Sequence, residues 1–181
     1  MYRTPASNRL HIGIFGKRNT GKSSLINAIT GQDIAIVSSV AGTTTDPVYK
    51  AMEILPIGPC MLIDTAGIDD EGILGEERVK RTLKVLRKTD VGLIVVEPQT
   101  QIDNFEEELC GVFKDKKLPF LFVINKCENR GNLAREYLEK RSLPYIEVSA
   151  ALKTGIEGLK LRIMGMAPAH WSPIPLVGDI I

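Results

Sequence analysis

The chain has 181 residues, of which 23 are basic and 22 acidic. That length suits one domain with a full hydrophobic core. The near balance of charge gives no general attraction to nucleic acid or to an anionic membrane. Three cysteines without C-x-x-C spacing, Cys60, Cys110 and Cys127, point to reduced thiols in a cytoplasmic protein rather than a disulfide frame or a zinc site. No run approaches the length of a transmembrane helix, and the start lacks the apolar stretch of a secretory signal.

Residues 1–9 are polar, contain Pro5 and read as a flexible arm. Leu10 to Phe15 is an apolar strand. A glycine-bounded loop follows, then a helix through Thr30 that Gly31 stops. Residues 32–45 are small or hydroxylated with no helical period, which predicts a long functional loop. Pro47 to Leu55 and Cys60 to Ile63 read as two strands joined at Pro56-Ile57-Gly58-Pro59, hence an antiparallel hairpin.

Residues 65–75 are rich in Gly and Asp and predict a second loop. Val79, Leu83 and Leu86 then fall at helical spacing. Val91 to Val96 is a near-continuous apolar run, as in a strand buried on both faces. Asp103 and Glu106 form a capping box for a helix that buries Phe105, Leu109, Val112 and Phe113. Phe120 to Ile124 is another buried strand. Leu133, Tyr137 and Leu138 mark a short helix, and Tyr145 to Val148 is the last strand. Thr154 and Glu157 form a second capping box, ahead of Ile156, Leu159, Ile163 and Met166. This alternation predicts an α/β fold: a doubly wound, mostly parallel six-stranded sheet with one antiparallel strand, its ligands at the carboxyl ends of the strands. The domain spans 10–166. Residues 167–181, with Pro168, Pro173 and Pro175, read as a linker toward a further domain.

The loop after the first strand reads Gly16-Lys17-Arg18-Asn19-Thr20-Gly21-Lys22-Ser23. This is G-x-x-x-x-G-K-S in the required strand–loop–helix setting. Its glycines let the backbone curl, and the curled N–H groups with the helix N-terminus make a concave anion site. Lys22 supplies a cation for β- and γ-phosphates, and the Ser23 hydroxyl is placed to ligate magnesium. Asn19, Thr20, Gly21, Lys22, Ser23 and Ser24 are the candidate contacts of this loop.

Further signals lie where such a loop predicts them. Asp64-Thr65-Ala66-Gly67 ends a strand; Asp64 serves the magnesium, and the Gly67 N–H the γ-phosphate. Asn125-Lys126-Cys127-Glu128 ends a later strand. There Glu128 accepts the paired N–H donors of guanine, Asn125 fixes the loop and Lys126 lies along the base. Ser149-Ala150-Ala151 ends the final strand and offers the Ala150 N–H to the guanine carbonyl.

Together these motifs resemble the translation-factor-class GTPases over residues 10–166. The chain departs from their pattern at Glu128, normally Asp, and at Ala151, normally Lys. Val40-Ala41-Gly42-Thr43-Thr44-Thr45-Asp46 resembles the switch loop of the Era, Der and MnmE group. That resemblance implies Thr44 as a magnesium ligand beside Ser23 and Asp64. It implies a potassium ion held by Asn19, Ser38, Val40 and Thr43, which neutralises charge building between the β- and γ-phosphates. Lys22, Asn19, Thr44 and Gly67 are then the catalytic set. Ile68 stands where Ras-like domains orient water with a glutamine, which implies slow intrinsic turnover.

Arg9 to Gly16, Gly42 to Glu53 and Pro56 to Pro59 resemble the GTPase domain of the HydF family, scaffolds of FeFe-hydrogenase maturation. That resemblance implies GTP and GDP as ligands, and partner maturation proteins and the hydrogenase reached through a full-length scaffold. It also implies a nucleotide-dependent homodimer through the switch loops. No iron–sulfur ligand is implied, because no cysteine here matches a position of that family's cluster motif. Membrane and nucleic acid are not expected partners. Two alternatives remain at the level of sequence: a nucleotide-gated partner-docking module with incidental hydrolysis, and an RNA or ribosome-assembly GTPase.

Overall fold

The computed structural model describes residues 8–31, 47–65 and 75–171. Most of the arm at 1–9, both long loops (apart from the first and last residues of the second) and the tail beyond 171 lie outside them. Six strands and five helices alternate among the described residues: β1 Leu10–Phe15, α1 Lys22–Thr30, β2 Val48–Ile54, β3 Gly58–Asp64, α2 Gly75–Leu86, β4 Val91–Val96, α3 Asn104–Asp115, β5 Phe120–Ile124, α4 Leu133–Lys140, β6 Tyr145–Glu147 and α5 Ile156–Met166. The sheet runs β2-β3-β1-β4-β5-β6. All neighbours are parallel except β2 and β3, the predicted hairpin. Strand order reverses direction at β1, which has β3 on one side and β4 on the other. The loop leaving β1 therefore sits at the switch point of the sheet, where α/β folds bind ligands.

Alternation along the central strands divides the core in two. Leu10, Ile12, Ile14, Leu93, Val95, Leu121 and Val123 pack with Leu25 and Ile29 of α1 and Leu159 and Ile163 of α5. Ile94, Val96, Phe122 and Ile124 face the other way, onto Val85 of α2, Phe105, Leu109 and Phe113 of α3, and Leu138 of α4. Both faces are covered, so these strands carry apolar residues at nearly every position. No helix among the described residues is long and apolar enough to cross a membrane.

Asp103 caps α3 through the Phe105 N–H, and the Glu106 side chain accepts from the Asp103 N–H, completing the capping box. The second expected box does not form. Gly155, at φ 75, is the N-cap of α5 and gives no side-chain cap. Thr154 is drawn into a two-way backbone bridge with Ser149 (3.0 and 3.1 Å), and Glu157 pairs with Lys160 at 2.8 Å. Helix faces also turn slightly from the expected ones. α2 buries Thr82, Val85 and Leu86, and α4 buries Ala134 and Leu138 and leaves Leu133 exposed. Beyond α5, Ala167 and Trp171 pack against the α1–α5 core, so the described start of the tail lies on the domain.

Phe113 is the keystone of the α3 side. It meets Phe15 edge-on at 5.5 Å and stacks on Phe120 at 5.4 Å. Its ring fills the space above Gly92 of β4, where a Cβ would lie 2.1 Å from Cζ. Gly92→Ala therefore forces Phe113 or the strand to move, with an expected cost of about 1–3 kcal/mol. Urea unfolding of the variant checks this.

Candidate functional site

The loop from β1 to α1 is curled by two glycines in backbone regions that other residues rarely occupy. Gly16 has φ 148 and Gly21 φ 88. A Cβ at Gly16 would lie 2.5 Å from the Val95 carbonyl, and one at Gly21 would lie 2.4 Å from Asn125 Nδ2. Asn19 takes the left-handed conformation at φ 66, which Asn tolerates better than most residues. Thr20 is buried and its hydroxyl donates to the Lys17 carbonyl at 2.9 Å. Lys22 is almost fully buried. Its ammonium folds over the loop and donates to the carbonyls of Gly16 and Lys17. Ser23 and Ser24 open the helix on its exposed side.

β3 brings Asp64 to the same mouth. Asp64 is aligned with Ile14 of β1 and is 3% exposed. Next to it the Thr65 hydroxyl donates to the Ile14 carbonyl at 2.7 Å, tying the end of β3 to the entry of the phosphate loop. A serine hydroxyl and a buried carboxylate are hard oxygen donors. They fit magnesium, which takes one or two protein oxygens and draws the rest from water and phosphate. The other predicted ligands and catalytic groups, Ser38, Val40, Thr43, Thr44 and Gly67, lie outside the described residues.

The base-reading motifs converge on the phosphate loop. Asn125 is 1% exposed. Its Nδ2 donates to the Thr20 carbonyl at 3.0 Å, and its Oδ1 accepts the Ala150 N–H at 3.0 Å. One side chain thus joins three segments far apart in sequence. The Ala150 N–H, expected to meet the guanine carbonyl, is here given to Asn125. Lys126, at φ 61, sends its ammonium to the Asn19 carbonyl at 2.6 Å and to Glu97 at 2.5 Å. Glu128 is exposed, and a hydrogen bond from buried Ser149 holds its carboxyl below the usual range. Ser149 also accepts the Leu152 N–H at 3.0 Å, which fixes the hydroxyl.

Two lysines make charge contacts that were not visible as motifs. One is Lys126, paired with Glu97. The other is Lys17 of the phosphate loop, paired with Asp103 at 2.6 Å and Glu106 at 3.5 Å at the start of α3. Burial works to lower the Lys17 pKa, but its bonds and charge contacts with Asp103 and Glu106 outweigh this and raise it. The Lys17 hydrogen bond in turn lowers Asp103. Glu106 is wholly buried, and desolvation pushes its carboxyl up. The available signal was positional: Glu97 directly follows a buried parallel strand, at the sheet end that carries sites.

A phosphate-cradling loop, a strand-end aspartate and a braced base-reading loop, set on this sheet, define a P-loop GTPase domain. Residues 11–126 match the family described as 50S ribosome-binding GTPase, and the chain belongs to that family. It is 34% identical over 157 residues to the tRNA modification GTPase MnmE of Coxiella burnetii, covering 85% of this chain and 34% of MnmE. It is 37% identical over 172 residues to GTPase Der of Wolinella succinogenes, covering 88% of this chain and 36% of Der. The chain thus spans about a third of the length of these curated relatives. Among solved structures it resembles Aquifex aeolicus Era bound to GDP and aluminium fluoride (TM-score 0.70, 27% identity, 94% of this chain and 60% of that one). An Era complex with MgGDPNP and a segment of 16S ribosomal RNA matches equally well, at TM-score 0.70 and 26% identity, covering 96% of this chain and 61% of that one.

The Asn125 bridge joins groups of this chain alone, so its loss should be felt by the protein itself. Asn125→Ala leaves the Thr20 carbonyl and the Ala150 N–H buried without this partner. Each such group costs about 1–3 kcal/mol. Denaturant unfolding in nucleotide-free buffer should show the variant destabilised, and GDP titration should show weakened binding.

Proposed function

We propose that this domain binds GTP with magnesium, hydrolyses it to GDP and phosphate with stimulation by potassium, and thereby controls a FeFe-hydrogenase maturation scaffold in the cytoplasm. The observation that carries the nucleotide reading is the Asn125 bridge. It draws the phosphate loop, the Asn125–Glu128 motif and the Ser149–Ala150 motif into one braced cleft.

Phosphoryl transfer to water needs positioning and charge stabilisation rather than covalent chemistry by the protein. The loop N–H groups between Asn19 and Ser24 hold the phosphates, and the Lys22 ammonium leaves its carbonyls to meet the β- and γ-oxygens. Glu128 accepts the N–H pair of guanine, and the hydrogen bond from Ser149 orients its carboxylate. Ser23 and Asp64, with Thr44, would hold magnesium; Asn19, with Ser38, Val40 and Thr43, would hold potassium. When bound, these ions neutralise charge that builds on the phosphates. The Gly67 N–H meets the γ-phosphate. Because the Ala150 N–H is taken by Asn125, base selectivity rests more on Glu128 than the sequence pattern implies.

The scaffold role is supported by the Thr45-Asp46-Pro47-Val48-Tyr49-Lys50 stretch and its neighbours. Val48 and Tyr49 are exposed on edge strand β2, where a partner or a second copy of the domain could reach them. The nearly balanced charge favours protein partners over nucleic acid; RNA is bound in the Era structure, which extends beyond the part matched here.

GTP turnover measured in potassium, sodium and salt-free buffer tests the ion site. Potassium should give the fastest rate, and Asn19→Ala should abolish the difference between cations. A rate indifferent to the cation refutes the ion site. For the scaffold role, Lys22→Ala in the full-length protein should lower hydrogenase activation in a maturation assay, and unchanged activation would rule that role out.

A further inference from the structure

Glu97 occupies the first position after β4, on a turn built to hold still. Its N–H donates to the Thr100 hydroxyl at 3.1 Å, and its carbonyl accepts the Thr100 N–H at 3.0 Å. The turn is fastened to the segment that leads from the Asn125–Glu128 motif into α4. Gln99 donates to the Arg130 carbonyl, and the Ala134 N–H donates to the Pro98 carbonyl at 3.2 Å. Gly131, at φ 156, leaves room for Gln99, since a Cβ there would lie 2.4 Å from its Cδ.

From this platform the Glu97 carboxylate meets Lys126 Nζ at 2.5 Å, with each side chain 33% exposed. The same ammonium donates to the Asn19 carbonyl at 2.6 Å. Both Lys126 and Asn19 hold left-handed backbone, φ 61 and φ 66, which needs support from neighbours. A lysine stem is long and rotamer-rich, so a single carbonyl fixes it poorly. A carboxylate on a braced turn supplies the second point of attachment.

We propose that Glu97 is a positioning residue of the nucleotide site. It aligns Lys126, so that the stem lies along the purine base while the ammonium clamps the phosphate loop at Asn19. This rests on the guanine-nucleotide reading above. Glu97 reaches the ligand only through Lys126 and does not read the edge of the base. It therefore sets how tightly a purine nucleotide is held, and leaves to Glu128 the choice between guanine and hypoxanthine, which lacks the 2-amino group.

The test is calorimetric titration of the full chain with GDP and with IDP in magnesium buffer, for wild type, Glu97→Gln, Glu97→Asp, Lys126→Ala and the Glu97→Gln/Lys126→Ala double variant. Glu97→Gln should weaken GDP and IDP by the same factor, about fivefold for a partly exposed charged pair. Glu97→Asp, which keeps the charge, should recover most of the loss. On the Lys126→Ala background Glu97→Gln should change nothing further. Unchanged GDP affinity in Glu97→Gln overturns the assignment. So does an equal loss on the Lys126→Ala background or a shifted GDP-to-IDP ratio. Wild-type protein that binds neither nucleotide refutes the guanine reading itself and the assignment with it.

Discussion

The cleft depends on one buried amide. Asn125 has a donor and an acceptor on a single planar group, and the fold uses both. The donor satisfies a carbonyl in the loop after β1, and the acceptor satisfies an N–H in the loop after β6. Those loops lie at opposite ends of the sequence and on strands separated by β4 and β5. Burial raises the stakes, because an unmet polar group in this setting is costly. An apolar residue would leave both partners unmet, and an aspartate could not donate. The requirement for an amide is therefore structural, apart from any part it takes in binding a ligand.

Around that bridge the phosphate loop is held by lysines at three points. Lys22 folds inward onto the loop's own carbonyls. Lys17 reaches outward to the acidic start of α3. Lys126 grips Asn19 from the base side. A concave array of N–H groups aimed at an anion leaves its carbonyls pointing outward, and ammonium groups are well suited to collect them. The phosphate cradle and the cationic clamps are two faces of the same curled backbone.

The fold was largely legible from the chain because its strands are buried on both sides. Such strands appear as unbroken apolar runs, and each motif stands directly after one. Asn125 could be read as a brace because its place after β5 implied it. What escaped the sequence were contacts between residues distant along the chain. Glu97 lies in no motif and Lys17 fills an unspecified position of one, and their partners lie 29 and 86 residues away. The α5 cap escaped for a different reason. Thr154 and Glu157 satisfy the local pattern, yet the bridge to Ser149 commits the Thr154 backbone, and Gly155 makes the turn instead. A pairing outside the local window overrode a rule written for it. The same holds for the Ala150 N–H, whose partner is a side chain 25 residues earlier.

The antiparallel pairing of β2 with β3 has a mechanical meaning. Val48, where the chain re-enters the sheet after residues 32–46, is the cross-strand partner of Asp64, where it leaves toward residues 66–74. The two long connections that carry the switch-type sequences are thus moored to a single rung of the ladder. Tension on either one loads the same pair of backbone residues. On the far side of that rung, Asp64 lies level with Ile14, one residue before β1 gives way to the phosphate loop. Val48, Asp64 and Ile14 thus form one row across three adjacent strands, which fixes the start of β2, the end of β3 and the end of β1 relative to one another.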